Sequence, residues 1–385
     1  MSFNTNILYV SCLCSKKIEQ QILDTNPKGI GLQAQKYHRL LAKGLCNNNS
    51  SVNVLCYQKG IKDLGVKNRD TEEEKDIKYV YLTNSRLGYV GLLFNSFTYS
   101  YDFFKRNKEA VMICDVLNLT VSLGALLAAK LLKRRTVGII TDYPDHLFGE
   151  KSSQSRLIWF LIKLCDGYVV LTEQMKEKLN PKKAMIVLEG HVDSEMIHSE
   201  NKIQDKYTKK VCIYAGMLHR KYGIEKLVKA FIKADVLDAE LHIYGDGDYV
   251  EELKELGKNS IRYFGIVENQ KVVEEELKST LLINPRPSDE EFTKYSFPSK
   301  NLEYMVSGTP LLTTNLPGMP KEYRNYVFLF EKETIDGMAN TLKSVLGESK
   351  TFLHDKGMRG KQYVLENKTE AAQALKLLQM IDRMS

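Results

Sequence analysis

A chain of 385 residues, 43% hydrophobic and 27% charged, has room for two domains with a core each and is neither disordered nor fibrous in composition. Its longest apolar runs, 121–132 and 157–165, are broken by Lys130 and Lys163 and fall short of the roughly 18 residues of a membrane span; residues 1–10 lack the basic start of a signal peptide. Positive charge is concentrated early: residues 1–190 carry 27 Lys and Arg against 18 Asp and Glu, a net +9, and residues 191–385 carry 28 against 30, a net −2.

Short β-branched runs alternate with helix-period segments along most of the chain. Strands are predicted at 7–12, 52–57, 79–82, 111–114, 137–141, 168–171 and 185–188, with helices such as 32–45, 121–132 and 153–164 between them. The stretch 198–210 has eight charged or amide residues and no apolar period, and reads as a linker. The rhythm then restarts, with strands predicted at 211–215, 240–244, 261–264, 280–284, 310–313 and 327–330. This is the pattern of βαβ units and parallel sheets. We therefore expect an α/β protein of two Rossmann-like, doubly wound parallel-sheet domains facing a cleft. The first spans 1–195 and the second 208–365, and a helix in 366–385 packs back toward the first. Ligands bind such folds at the carboxyl ends of the strands.

Taken in order, Cys12, Cys14, Cys46, Cys56, Cys114, Cys165 and Cys212 are odd in number, and several lie in apolar runs. Cys12 and Cys14 stand too close for a zinc pair, so the cysteines read as reduced, buried thiols of a cytoplasmic protein, and no metal is expected. Gly29 and Gly31, in the turn Pro27-Lys-Gly-Ile-Gly31, precede a helix whose first amides suit a diphosphate or acceptor hydroxyls, or simply form a loop. Asp142 and His146 follow a buried strand and are candidates to orient an acceptor hydroxyl, although Asp-Tyr-Pro-Asp is also good turn chemistry. Asp115 and Asn118 are weaker candidates of the same kind, and the remaining histidines show no cluster. The basic stretches 130–135 and 156–163 suit an anionic lipid surface or, equally, a solvated helix face; no motif supports nucleic acid.

In the second half, Gly216, Arg220 and Lys221 occupy the turn after the first strand, where two cations can neutralise a leaving diphosphate. In 295–310, Pro298 suits a first helical position, leaving the amides of Ser299, Lys300 and Asn301 free for an anion. Lys300 adds a charge, and Glu303, one turn on, can accept from two ribose hydroxyls.

Residues 296–310, followed by Leu316-Pro-Gly-Met-Pro-Lys-Glu322, resemble the donor-site signature of retaining glycosyltransferases of the GT-B fold, family 4, in its bacterial surface-polysaccharide branch. The likeness extends to Gly216 through Gly223, to Ile243-Tyr-Gly-Asp-Gly247, to Phe264-Gly-Ile-Val267 and to Glu189-Gly-His-Val-Asp193. The resemblance implies that Arg220 and Lys221 contact the diphosphate and Ser299 and Lys300 the phosphates. It places Glu303 on the ribose and backbone near Ile266 around the base. It further implies a nucleotide-diphosphate sugar as co-substrate and a glycan acceptor, lipid-linked, at the inner membrane face. Cations would do the electrostatic work of a metal. The sequence departs from the family where Tyr295 replaces a glutamate that touches the donor sugar, with Asp289, Glu290 and Glu291 nearby as substitutes. It departs again where Met217 replaces an arginine. A nucleotide-sugar epimerase and a non-catalytic glycan- or nucleotide-binding subunit remain the alternatives.

Overall fold

The computed structural model describes residues 4–26, 29–84, 87–198, 200–256 and 259–384. The chain divides into two compact units, Met1–His191 with Thr369–Ser385, and Val192–Lys368.

The first unit is built on β1 (Asn6–Ser11), β2 (Ser51–Cys56), β3 (Thr71–Glu74), β4 (Ile77–Tyr81), β5 (Val111–Asp115), β6 (Thr136–Ile140), β7 (Gly167–Val170) and β8 (Ala184–Val187). They form one sheet in the order β3-β4-β2-β1-β5-β6-β7-β8, parallel except for the β3–β4 pair. Strands such as β5 and β6 are buried at every position, as the unbroken apolar runs of a sheet covered on both faces require. Helices follow as α1 (Lys16–Thr25), α2 (Leu32–Asn47), α3 (Gly88–Arg106), α4 (Leu119–Leu131), α5 (Pro144–Phe148) and α6 (Ser153–Leu164). The chain moves one way along the sheet through α2 and the other way through α3, α4 and α6. Right-handed crossovers therefore put α2 on one face and those three on the other, where α4 packs against both α3 and α6.

The second unit carries β9 (Lys210–Ala215), β10 (Ala239–Tyr244), β11 (Ile261–Gly265), β12 (Leu281–Asn284), β13 (Leu311–Thr313) and β14 (Phe328–Leu329), all parallel in the order β11-β10-β9-β12-β13-β14. Its helices are α7 (Ile224–Ala234), α8 (Val250–Glu255), α9 (Asn269–Lys278), α10 (Ser299–Ser307), α11 (Ile335–Gly347) and α12 (Lys350–Asn367). The last helix, α13 (Glu370–Asp382), belongs to the first unit and packs on α2. Gly44 of α2 permits that approach, since a Cβ there would lie 2.0 Å from the Glu370 carbonyl oxygen.

Two elements differ from the sequence reading for physical reasons. β3 has the sequence Thr-Glu-Glu-Glu and no buried face, so its antiparallel edge pairing leaves no apolar period. The polar stretch after residue 198 does not run free: its described part is packed into the second unit. Asn201 donates to the Ser307 carbonyl at 2.9 Å and to the Thr309 hydroxyl at 3.0 Å. The Lys206 ammonium donates to the Ser279 carbonyl at 2.9 Å and the Thr309 hydroxyl at 2.7 Å. Composition cannot separate such hydrogen-bonded, buried side chains from solvated ones. No described helix is long and apolar enough to cross a membrane.

Candidate functional site

In the second sheet the strand order reverses between β9 and β12, the place where ligands meet the carboxyl ends of a doubly wound sheet. The loops there are laced together through backbone. The Gly216 amide donates to the Tyr244 carbonyl at 3.0 Å, and the Gly245 amide to that of Gly265 at 2.8 Å. Gly245 lies at φ 128°, and a Cβ would sit 1.8 Å from the Gly216 oxygen. At Gly223, φ 84°, a Cβ would lie 2.1 Å from the Pro285 oxygen, so this turn rests on the loop after β12. Behind them, the buried Tyr304 hydroxyl accepts from the Ala215 amide at 2.8 Å and donates to its carbonyl at 3.2 Å. That clamp fixes the strand end from which Gly216 turns.

The predicted cations fare differently. Lys221 is exposed, and among the described residues it pairs with no carboxylate; its ammonium lies 5.2 Å from the Tyr222 ring. Arg220, by contrast, donates to Glu225 at 2.6 Å and to Glu252 while stacking over Tyr249. Two carboxylates neutralise its charge where it stands, Glu225 five positions on in α7 and Glu252 in α8, partners that the turn's own sequence does not announce. Lys300, in the first turn of α10, lies 3.2 Å from Glu303. Pro298 stands one position before the helix rather than within it. The Asn301 amide is spent on the Pro298 carbonyl at 2.9 Å, while those of Ser299 and Lys300 have no acceptor within the helix. Ile266 is 80% exposed just past β11. Met217 is exposed, and so are Asp289, Glu290 and Glu291.

One cation escaped the sequence reading. Arg286 follows β12 between two prolines; its guanidinium donates to the Ser296 hydroxyl at 2.9 Å and lies over Phe292 at 4.7 Å and Tyr222 at 5.7 Å. The signal was available: an arginine two residues past a buried strand, in a Pro-Arg-Pro frame that fixes the backbone.

The first unit presents a different edge. Gly31 precedes α2, and a Cβ there would meet only Ala34 at 3.9 Å, so its backbone is open; Pro27 and Lys28 of that turn lie outside the described residues. Asp142 and His146 are exposed beyond β6. Asn118 donates to the Tyr57 carbonyl at 3.1 Å, a loop-bracing contact. Contrary to the expectation of scattered histidines, two come together: the Tyr37 ring lies 5.6 Å from His38 and 4.6 Å from His191. Burial outweighs the opposing Glu189 charge and holds His191 down at about 3, hence neutral. His38 Nδ1 meets the Tyr9 hydroxyl at 2.7 Å, and its Nε2 faces Asp115 at 3.5 Å. All seven cysteines are free thiols.

Residues 196–361, inside the second unit, match the family model "Glycosyl transferases group 1". No curated protein sequence matches the chain significantly. Over its whole length the chain is similar to a glycosyltransferase from Rickettsia africae (15% identity, TM-score 0.68, covering 99% of this chain and 100% of that one). It is also similar to HepE of Anabaena in complex with UDP (13%, 0.66, 98% and 100%) and to the lipopolysaccharide outer core galactosyltransferase WaaB (17%, 0.60, 98% and 99%). At such identities these likenesses concern the fold, which is GT-B. With a glycosyltransferase group 1 domain in its second unit, the chain is an enzyme, a transferase of glycosyl groups.

Proposed function

We propose that the protein moves a sugar from a nucleotide-diphosphate donor to a hydroxyl of a lipid-linked glycan in surface-polysaccharide synthesis, as a family 4 enzyme that retains the anomeric configuration. The observation that carries this reading is the convergence, at the reversal point of the second sheet, of a glycine-built backbone floor with Lys221, Arg286 and the amide-rich start of α10. Such a site binds a diphosphate. HepE binds UDP and UDP-glucose in related structures, which supports a nucleotide sugar as donor here.

In the proposed step the bond from the anomeric carbon to the β-phosphate oxygen breaks as the acceptor oxygen attacks the same face. The acceptor's proton passes to the departing diphosphate. Charge grows on that diphosphate, and in this reading Lys221, Arg286, Lys300 and the Ser299 and Lys300 amides stabilise it without a metal. Arg220 contributes only after leaving Glu225 and Glu252. Glu303 accepts from the ribose hydroxyls, the Gly216 turn lies under the donor, and backbone at Ile266 borders the base. Asp142 and Gly31 remain proposed for the acceptor side. A panel of nucleotide sugars offered to the purified protein without acceptor tests the reading. Slow donor hydrolysis supports it; interconversion of the sugar would point to an epimerase, and binding without turnover to a non-catalytic subunit.

A membrane-surface location at the cytoplasmic face is supported by α6, which presents Arg156, Leu157, Phe160 and Lys163 outward in one stripe. Leu127 and Leu131 of α4 and Val90 and Phe94 of α3 are exposed in the same helical layer. Of the basic run 130–135, Lys130 is paired with Asp166 at 2.5 Å and Arg135 donates to the Ile381 carbonyl at 3.0 Å; Lys133 is exposed. Anionic vesicles should retain the protein in a salt-dependent way, and Leu157→Ser with Phe160→Ser should release it. Equal retention on neutral vesicles would speak for a water-soluble acceptor.

A further inference from the structure

The first sheet also reverses its strand order, between β1 and β5. Three side chains from separate elements meet there: Cys12 just past β1, His38 on α2 and Asp115 at the end of β5. Their ligand-type atoms, thiol sulfur, imidazole nitrogen and carboxylate oxygen, all lie within 4.8 Å of one another. His38 and Asp115 are buried, and Cys12 is the partly exposed corner.

The spacing of the buried pair is informative. His38 Nε2 and Asp115 Oδ2 stand 3.5 Å apart, too far for a good hydrogen bond. Two ligands at the 2.0–2.1 Å of zinc bonds, held at the tetrahedral angle, stand about 3.3 Å apart. The other groups are already oriented as metal ligands require. Asp115 Oδ1 accepts from the Leu117 amide at 2.9 Å, which turns Oδ2 toward His38. His38 Nδ1 meets the Tyr9 hydroxyl at 2.7 Å, so with its proton on Nδ1 donated to that oxygen, Nε2 keeps a lone pair for an ion. Gln35, one turn before His38, fixes the loop by donating to the Cys12 carbonyl at 2.6 Å and accepting from the Cys14 amide at 3.1 Å.

We propose that Cys12, His38 and Asp115 form a binding site for a borderline-soft divalent cation, zinc by ligand chemistry, with a fourth position left for an oxygen ligand. One thiolate, one imidazole and one carboxylate suit zinc better than magnesium or calcium, which prefer oxygen alone. Binding replaces the thiol proton of Cys12, which leaves to solvent. The site lies in the first unit and is independent of the donor chemistry proposed for the second.

The test uses the full chain, stripped of metal by a chelator and titrated with cobalt(II), a spectroscopic stand-in for zinc. A thiolate-to-cobalt charge-transfer band should grow until one ion is bound per chain and vanish on adding zinc. Cys12→Ser should abolish the band, Asp115→Asn should weaken binding at least tenfold, and Cys14→Ser should change neither. Zinc should also raise the unfolding midpoint of the unmodified protein, a readout that needs no variant to fold. No band at stoichiometric cobalt, or a band that persists in folded Cys12→Ser, overturns the site and leaves a buried Asp115–His38 contact. Donor hydrolysis stays in either case, so failure here and failure of the transferase reading are distinguishable.

Discussion

The carboxyl edges of the two sheets solve one positioning problem with different materials. In the second unit the reversal point is made of backbone: Gly216, Gly223 and Gly245 let three loops touch, and cations and helix amides stand above them. In the first unit it is made of side chains: the Tyr9 hydroxyl bonds to His38, His38 faces Asp115, and the Tyr37 ring packs against both His38 and His191. A backbone floor serves a ligand whose charge sits on phosphate oxygens, the same for every donor of its class. A side-chain floor can differ freely from protein to protein, which suits the acceptor-distinguishing role proposed for this half of the molecule.

If the second edge is truly backbone-built, the largest effect should come from adding one carbon. Gly245→Ala places a Cβ 1.8 Å from the Gly216 oxygen at a φ of 128°. Strain at such a φ and overpacking together should cost about 3 kcal/mol or more of stability. Chemical denaturation should show the loss, and donor hydrolysis should fall with it. An alanine variant of native stability would mean that the loops are not in contact.

Lys300→Ala probes the charges above that floor. Removing a charge-assisted contact to the diphosphate should cost about 1.5–3 kcal/mol of transition-state stabilisation, roughly a tenfold to hundredfold fall in kcat/KM. Stability should hardly change, because Lys300 is partly exposed at the helix start. Unchanged kinetics would remove Lys300 from the site.

The same contrast explains what the sequence made readable. Glycines, a proline and a lysine at fixed offsets leave a motif because backbone geometry restricts which residues fit, and the donor-side candidates came from such offsets. The cluster of Cys12, His38 and Asp115 leaves no motif: its members are 26 and 77 positions apart and meet only because β1 and β5 pair side by side. Parallel strands were legible from unbroken apolar runs, whereas the all-polar β3 was not. Arg220 was placed correctly in its turn, but the identity of its partners, Glu225 and Glu252, depends on how α7 and α8 pack around it. For the same reason Lys206, read as part of a linker, is a buried residue with two acceptors.

Lys206 gives a pH-dependent comparison with its exposed counterparts. Burial, reinforced by Lys350, lowers its ammonium from the ordinary lysine value to about 7. Between about pH 7 and 10.5 the unfolded chain therefore binds a proton that the folded chain does not, so this residue makes stability rise with pH across that window, by up to about 1.4 kcal/mol per pH unit. Below pH 7 both states are charged and the cost of burying the charge is fully felt. Lys206→Met should flatten the slope between pH 7 and 9 in urea unfolding. Parallel slopes for the two proteins would show that the buried amine keeps its proton throughout.

The smallest effect separates recognition of the nucleoside from recognition of phosphate. Glu303 lies 3.2 Å from Lys300, so Glu303→Gln does two things at once. It removes a carboxylate that can accept from two ribose hydroxyls, leaving an amide oxygen in its place. It also frees Lys300 from its counter-charge, which favours any anion nearby. Because the amide oxygen still accepts one of the two bonds, the exchange should weaken nucleoside diphosphate binding by only about 0.5–1.5 kcal/mol, roughly twofold to tenfold. Inorganic diphosphate, which has no ribose, should bind as well as before or more tightly. Calorimetry with the two ligands side by side reads the difference directly. If both weaken together, Glu303 acts by holding Lys300 and the start of α10 in place; if only the nucleotide weakens, the carboxylate reads the ribose, and the backbone floor with its cations binds phosphate without regard to what the phosphate carries.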